Sequence, residues 1–186
     1  MKGILRRKRA GFSAVEVIVS FSLLAVVAGF AVVTMEGARL GIQTNAALDC
    51  VVEQIRSARE LAIAERRSYQ ILFIAPDQIQ LRRLELRPGY TDSSAVSLGN
   101  AVQFTLFAGL PDTPDFLGNA QAINLGKAST LTFLSDGKLV DSAGAPLNGT
   151  VFLGIPGRPE TARAVTVAGA TGRVTPYHWT GSAWEE

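Results

Sequence analysis

Between Phe12 and Met35 the chain carries one charge, Glu16, in 24 residues. No proline occurs before Pro76, so nothing forces a helix through this stretch to break. At about 1.5 Å per residue such a helix would be about 36 Å long, enough to cross a hydrocarbon core of about 30 Å. Lys2, Arg6, Arg7, Lys8 and Arg9 precede it with no acid among them, an asymmetry that keeps the leader on the cytoplasmic side. A secretory signal is cut behind its apolar region, after small residues. No such site is obvious here; the natural junction, Gly11-Phe12, lies in front of the apolar run.

Glu16 needs a reason. A charge at mid-bilayer costs about 2.5–3.5 kcal/mol on insertion scales and usually marks function. Its place four residues in from Phe12, about 6 Å along the axis, softens that cost. An interfacial acid favoured by the helix N-terminal dipole is the plainer alternative.

Gly11-Phe12-Ser13-Ala14-Val15-Glu16, running into Val17-Ile18-Val19 behind a basic leader, resembles the class III signal of type IV pilins and type II secretion pseudopilins. The resemblance implies cleavage between Gly11 and Phe12 by a membrane prepilin peptidase, with N-methylation of Phe12. It also implies that Glu16 pairs with the amino terminus of a neighbouring subunit during filament assembly. Other pilins or pseudopilins, an inner-membrane assembly platform and membrane lipid are the partners that follow.

With 186 residues the chain has room for one ordinary soluble domain beside such a helix. The formal charge of +2 depends on the leader: without residues 1–11 the chain holds 13 Lys and Arg against 16 Asp and Glu, a net −3. That balance argues mildly against nucleic-acid binding, which rests on a basic surface. A single cysteine, Cys50, excludes an intramolecular disulfide. In a helical pattern it reads as a small buried apolar group, with an intermolecular bridge as the alternative.

Beyond Ala38 the pattern becomes amphipathic. Leu48, Val51, Val52, Ile55, Ala58, Leu61 and Ala62 recur at three- and four-residue steps, with charges mostly elsewhere. One helix of about 55 residues is expected, its second half (37–67) packed on a domain. Gly37 and Gly41 have close-packing spacing, though they would equally give flexibility. Period two begins after Arg67. Residues 68–75 and 78–86 flank Pro76-Asp77 as a hairpin, with Ile79, Leu81 and Leu84 toward the core and a bulge near Arg82-Arg83. Residues 87–92 read as a loop and 102–107 as a strand. In the connection from Ala108 to Asn119, turn chemistry accounts for Asp112 and Asp115 better than a cation does. Strands are then expected at 131–133, 150–155, 163–168 and 173–179, with turns at Ser135-Asp136-Gly137 and 169–172.

The expected fold class is therefore α+β: a long N-terminal helix packed on antiparallel sheets, because neither part can bury its apolar face alone. The order of elements resembles the GspH/FimT group of minor pseudopilins through Phe133, Gly137, Val151-Phe152-Leu153, Val165-Thr166-Val167 and Gly172-Arg173-Val174. A pilin-like fold follows from the resemblance, with a leader (1–11), a transmembrane segment (12–36) and a periplasmic β-rich domain (68–186).

Catalytic chemistry is hard to place. His178 is the only histidine and lies in a strand between Tyr177 and Trp179, where a surface or structural role is expected. Zinc-type Cys/His spacing and the Gly-x-x-x-x-Gly-Lys phosphate loop are absent, so no enzyme activity, metal or cofactor is expected. Some FimT-like minor pilins bind DNA through a Gly-Arg-x-Arg motif. Here the matching residues are Gly172-Arg173-Val174-Thr175, with Thr175 in place of the second arginine. Arg158, Arg163 and Arg173, with Tyr177, Trp179 and Trp184, remain a candidate basic and aromatic patch. Two expectations follow. The first is a structural subunit of a type II secretion pseudopilus acting in filament initiation or at the tip; the alternative is a DNA-binding minor type IV pilin for natural transformation.

Overall fold

The computed structural model describes residues 13–99, 101–118, 120–125, 129–141 and 144–186, without the side chains of 31–34 and 36. Gly11 and Phe12, and with them the expected cleavage site, lie outside the described residues. Two compact units are present, Met1–Arg39 and Leu40–Glu186.

Helix α1 runs Ala14–Glu65. It is followed by β1 (Tyr69–Ile74), β2 (Gln78–Leu84), β3 (Tyr90–Asp92), β4 (Val96–Ser97), β5 (Gln103–Phe104) and β6 (Ile123–Asn124). Next come β7 (Thr130–Phe133), β8 (Leu139–Val140), β9 (Gly149–Gly154), a 3₁₀ turn at Pro159–Thr161, β10 (Arg163–Ala168), β11 (Arg173–Trp179) and β12 (Trp184–Glu185). Among the described residues these strands form two antiparallel sheets. One is ordered β3-β2-β1-β7-β8 with β4 also on β2; the other is ordered β12-β11-β10-β9-β5 with β6 also on β9. The expected α+β architecture is the one observed.

The apolar stripe of the second half of α1 becomes the floor of the core. Ala47, Leu48, Val51, Val52, Ile55, Ala58 and Ala62 are buried in one cluster with Ile71, Phe73 and Ile79 of the first sheet and Val151, Leu153, Val165 and Val167 of the second. Alternation along β9 and β10 assigns the odd-numbered residues to this helix-facing layer. The even-numbered side would be solvated in a two-layer fold, but every residue of β9 is buried. A second cluster covers it: Phe107 and Trp184 pack with Phe152, Ala162, Ala164 and Tyr177.

Arg59, on the same helical half, reaches both sheets. Its Nε donates to the Gly137 carbonyl (3.2 Å), in the turn before β8, and an η nitrogen donates to the Thr171 carbonyl (3.3 Å), in the turn before β11. Gly137 and Gly172 both hold left-handed backbone, φ 80° and 67°. A Cβ on Gly172 would lie 2.6 Å from Arg59 Nε, so glycine is required there for conformation and for space.

Several expectations need correction. The β1–β2 register is unbroken from Tyr69↔Arg83 to Ile74↔Gln78, so no bulge occurs at Arg82-Arg83. With continuous alternation Arg83, not Leu84, falls in phase with Ile79 and Leu81. At the sheet end its guanidinium meets Glu65 (3.2 Å) and Glu85 (2.9 Å) instead of apolar core. Residues 90–92 are strand rather than loop: Arg82 pairs with Asp92 (2.6 Å) and lies 3.7 Å over the Tyr90 ring, which holds β3 to β2. The 102–107 strand shortens to Gln103–Phe104. Val102 and Phe107 are nonetheless buried, in different clusters, so its hydrophobicity reflects packing on two sides rather than extended pairing.

Candidate assembly helix and candidate nucleic-acid surface

Glu16 sits in the first turn of α1, where the helix dipole favours a carboxylate. Every residue from 13 to 30 is exposed. The apolar members, Val15, Val17, Ile18, Val19, Phe21, Leu23, Leu24, Val26, Val27 and Phe30, are each 41–71% exposed. Monomeric soluble proteins rarely show contiguous apolar surface beyond a few hundred Å², and larger patches mark a membrane or a partner. Two serine hydroxyls of this stretch are satisfied within the helix: Ser20 donates to the Glu16 carbonyl (2.7 Å) and Ser22 to the Ile18 carbonyl (2.6 Å). No described residue forms an ion pair with the Glu16 carboxylate. Among the described residues no helix is long and apolar enough to cross a membrane. The span expected from sequence, 12–36, lies partly outside the described residues.

The three candidate arginines are not brought together. Arg163 pairs with His178 and Arg173 with Ala168 across the β10–β11 ladder. They are thus separated by five residue steps, about 17 Å, and alternation assigns them to opposite faces of the sheet. Arg163 takes the helix-facing side and is only 7% exposed. Its Nε donates to Asn45 Oδ1 (2.8 Å) and an η nitrogen to the Ala162 carbonyl (2.9 Å), and burial pushes its pKa down from the usual arginine value. The structure therefore removes Arg163 from the patch, because a guanidinium committed to the interior cannot reach the phosphates of a duplex. Arg173 is exposed, with its Nε donating to Thr175 Oγ1 (3.1 Å). Thr175, the residue in the second-arginine position, is itself buried. Arg158 is exposed beside Glu160, 3.7 Å away.

The aromatic half of the patch fails for the same reason. Tyr177 and Trp184 are buried in the second core cluster, with the half-buried Trp179 packed on it. Trp184 Nε1 donates to the Pro111 carbonyl (2.9 Å). Burial, then the neighbouring Asp115 carboxylate, push the Tyr177 phenol up. Strand alternation alone does not distinguish an aromatic on a solvated face from one under a covering segment, and residues 105–118 supply that cover.

Asp112, Asp115 and His178 have structural partners. Asp112 accepts from the backbone N–H of Thr113 (2.7 Å) and Gly118 (2.9 Å), as turn chemistry predicts. Asp115 accepts from the Thr166 hydroxyl. His178 Nε2 lies 3.8 Å from Glu185 in the β11–β12 pair. Cys50 is half-buried, and burial pushes its thiol up, away from the nucleophilic thiolate.

No protein-family model and no curated protein matches the sequence. Among solved structures the chain is similar to the minor pseudopilin EpsH from the type 2 secretion system of Vibrio cholerae, at 13% identity and TM-score 0.47, over 72% of this chain and 95% of that one. A second structure of EpsH from the same organism gives 14% identity and TM-score 0.48, over 75% and 98%. The type IV minor pilin FimU of Pseudomonas aeruginosa gives 14% identity and TM-score 0.49, over 82% and 97%.

Proposed function

We propose that this chain is a minor pseudopilin, a structural subunit of a type II secretion pseudopilus that acts in filament initiation or tip assembly and so in protein secretion. In this reading a prepilin peptidase cuts between Gly11 and Phe12 and Phe12 is N-methylated. Residues 12–36 cross the inner membrane once and the β-rich domain lies in the periplasm. The observation that carries it is a helix exposed at every residue from 13 to 30 whose one charge in that stretch is Glu16. Lipid, and then the helices of neighbouring pseudopilins at the assembly platform, provide the cover that the apolar surface lacks. Glu16 would neutralise a neighbour's amino terminus, since a carboxylate in that setting is retained only with a partner. The work is assembly, not catalysis. Dispersal of Arg158, Arg163 and Arg173 favours this over a DNA-binding minor pilin.

Intact-mass spectrometry of the protein from cells with a prepilin peptidase tests the reading. The expected chain begins at methylated Phe12. A chain that keeps residues 1–11, or one cut behind the apolar run, overturns it.

A further inference from the structure

Arg163 holds a charge below the surface with nothing of opposite sign beside it. The side chain is 7% exposed. A guanidinium taken out of water ordinarily has a carboxylate, because neutral acceptors alone do not offset the loss of its hydration. Arg82 shows that arrangement in this chain: its Nε and Nη2 together clasp both carboxylate oxygens of Asp92, at 2.6 and 3.0 Å. Arg163 turns the same edge to Asn45, whose Oδ1 fills one place at Nε (2.8 Å), while Nη1 is taken by the Ala162 carbonyl (2.9 Å). Its Nη2, the other tine of the fork, has no acceptor among the described residues. That nitrogen is not sealed in. Among the described residues the one fully buried side-chain nitrogen or oxygen without a partner is Thr150 Oγ1, and Asn45 beside the fork is exposed.

The surrounding elements supply no acid. Across the sheet Arg163 stands between Leu153 and His178. Glu185 lies 3.8 Å from His178 on β12, two strands from Arg163, or about 9.5 Å across the sheet. On α1, Asp49 is one turn beyond Asn45 and exposed, and no ion pair among the described residues joins it to Arg163. Burial lowers the Arg163 pKa with no acid to offset it.

We propose that Arg163 and Asn45 form a carboxylate-binding site. The acid group of the ligand accepts from Arg163 Nη2 and from the Asn45 side-chain amide, and it neutralises the guanidinium. A carboxylate is the class that fits, since one negative charge answers one cation and two oxygens answer two donors. The fork is too recessed for the phosphates of a duplex, but a small planar acid needs only the nitrogen that reaches solvent. Such an acid has two sources, a free small carboxylic acid or a side chain of a neighbouring subunit. The second source rests on the assembly reading and the first does not.

The test uses the full chain in detergent micelles, with sodium acetate as probe against sodium chloride at equal ionic strength. Acetate at about ten times its dissociation constant should raise the melting temperature by about 3–6 °C. Arg163→Met and Asn45→Asp should both abolish the rise, the second because it supplies an acid within the chain, and Arg173→Met should keep it. In chloride, Asn45→Asp should also melt higher than the parent chain, which a variant that merely misfolds does not do. No rise in the parent chain, or an undiminished rise in Arg163→Met, overturns the proposal. A rise seen only after Asp49→Asn identifies the chain's own Asp49 as the counter-charge and also overturns it. Two measurements separate the sources. A free acid should co-purify with the chain and be released on denaturation, where mass spectrometry identifies it. With an acid borne by a neighbour no small acid is released, and in cell membranes Asn45→Asp should lower crosslinking from a benzophenone at position 46 to other subunits about tenfold. Acetate binding with neither result is adventitious and overturns the site.

Discussion

Arg163 carries its charge into the interior, and its hydrogen-bond partners, the Asn45 amide oxygen and the Ala162 carbonyl, are neutral. Arg163→Ala leaves a void and an unpartnered Asn45, at a cost of about 2–4 kcal/mol. Arg163→Met removes the charge, keeps most of the volume and should cost less than half as much. Arg173→Ala, at the surface, should stay within about 0.5 kcal/mol. Urea unfolding of residues 40–186 measures all three, and equal losses at Arg163 and Arg173 would contradict the burial argument. Glu16 stands at the opposite extreme, exposed within the chain and without an ion pair among the described residues. If its partner is a neighbour's amino terminus, Glu16→Ala should insert normally but crosslink to other pseudopilins at least tenfold less. Unchanged crosslinking and secretion would leave Glu16 as an interfacial acid favoured by the helix dipole.

Among the elements, the turns before β8 and β11 depend on the helix as much as on their own residues. Arg59 donates to both, and the space it fills beside Gly172 admits no Cβ. Gly172→Ala therefore meets two penalties, left-handed backbone and contact with the Arg59 side chain, together about 1–3 kcal/mol. Arg59→Ala removes the second. The double variant should be more stable than the sum of the single losses by about 0.5–1.5 kcal/mol, which a urea double-mutant cycle resolves. Additive losses would mean that the close approach is relieved elsewhere. The same helix explains the misplaced expectation at β2. Glu65, at its last residue, draws Arg83 into register at the sheet end, and the Arg82–Asp92 pair converts the following segment into β3.

For the whole molecule, charge and its placement bear on the choice between the proposed filament subunit and a DNA-capturing pilin. Without residues 1–11 the net charge is −3, and of the three arginines that might have clustered one is buried and another lies beside an acid. The domain of residues 40–186 should therefore bind duplex DNA no more tightly than the roughly 10⁻⁴–10⁻⁶ M of non-specific binders, with steep loss in salt. Fluorescence anisotropy at two salt concentrations, with and without Arg173→Ala, measures this. Tight binding at physiological salt that disappears with Arg173→Ala would reverse the choice.

The sequence by itself determined what is local or periodic. The run around Glu16 defined the exposed helix, the three- and four-residue steps from Leu48 to Ala62 defined its buried face, and period two located β1, β2, β9, β10 and β11. These follow from the fixed geometry of helix and strand, which any chain obeys wherever it lies in space. The tertiary structure alone decided which side of a strand is covered. Arg163, Tyr177 and Trp184 looked available to nucleic acid because alternation gives two faces without saying that both are buried. The segment of residues 105–118 and the helix residue Asn45, distant in sequence, closed those faces. Contacts between distant residues depend on how sheets and covering segments stack, and that information is distributed over the whole chain rather than written in any one stretch of it.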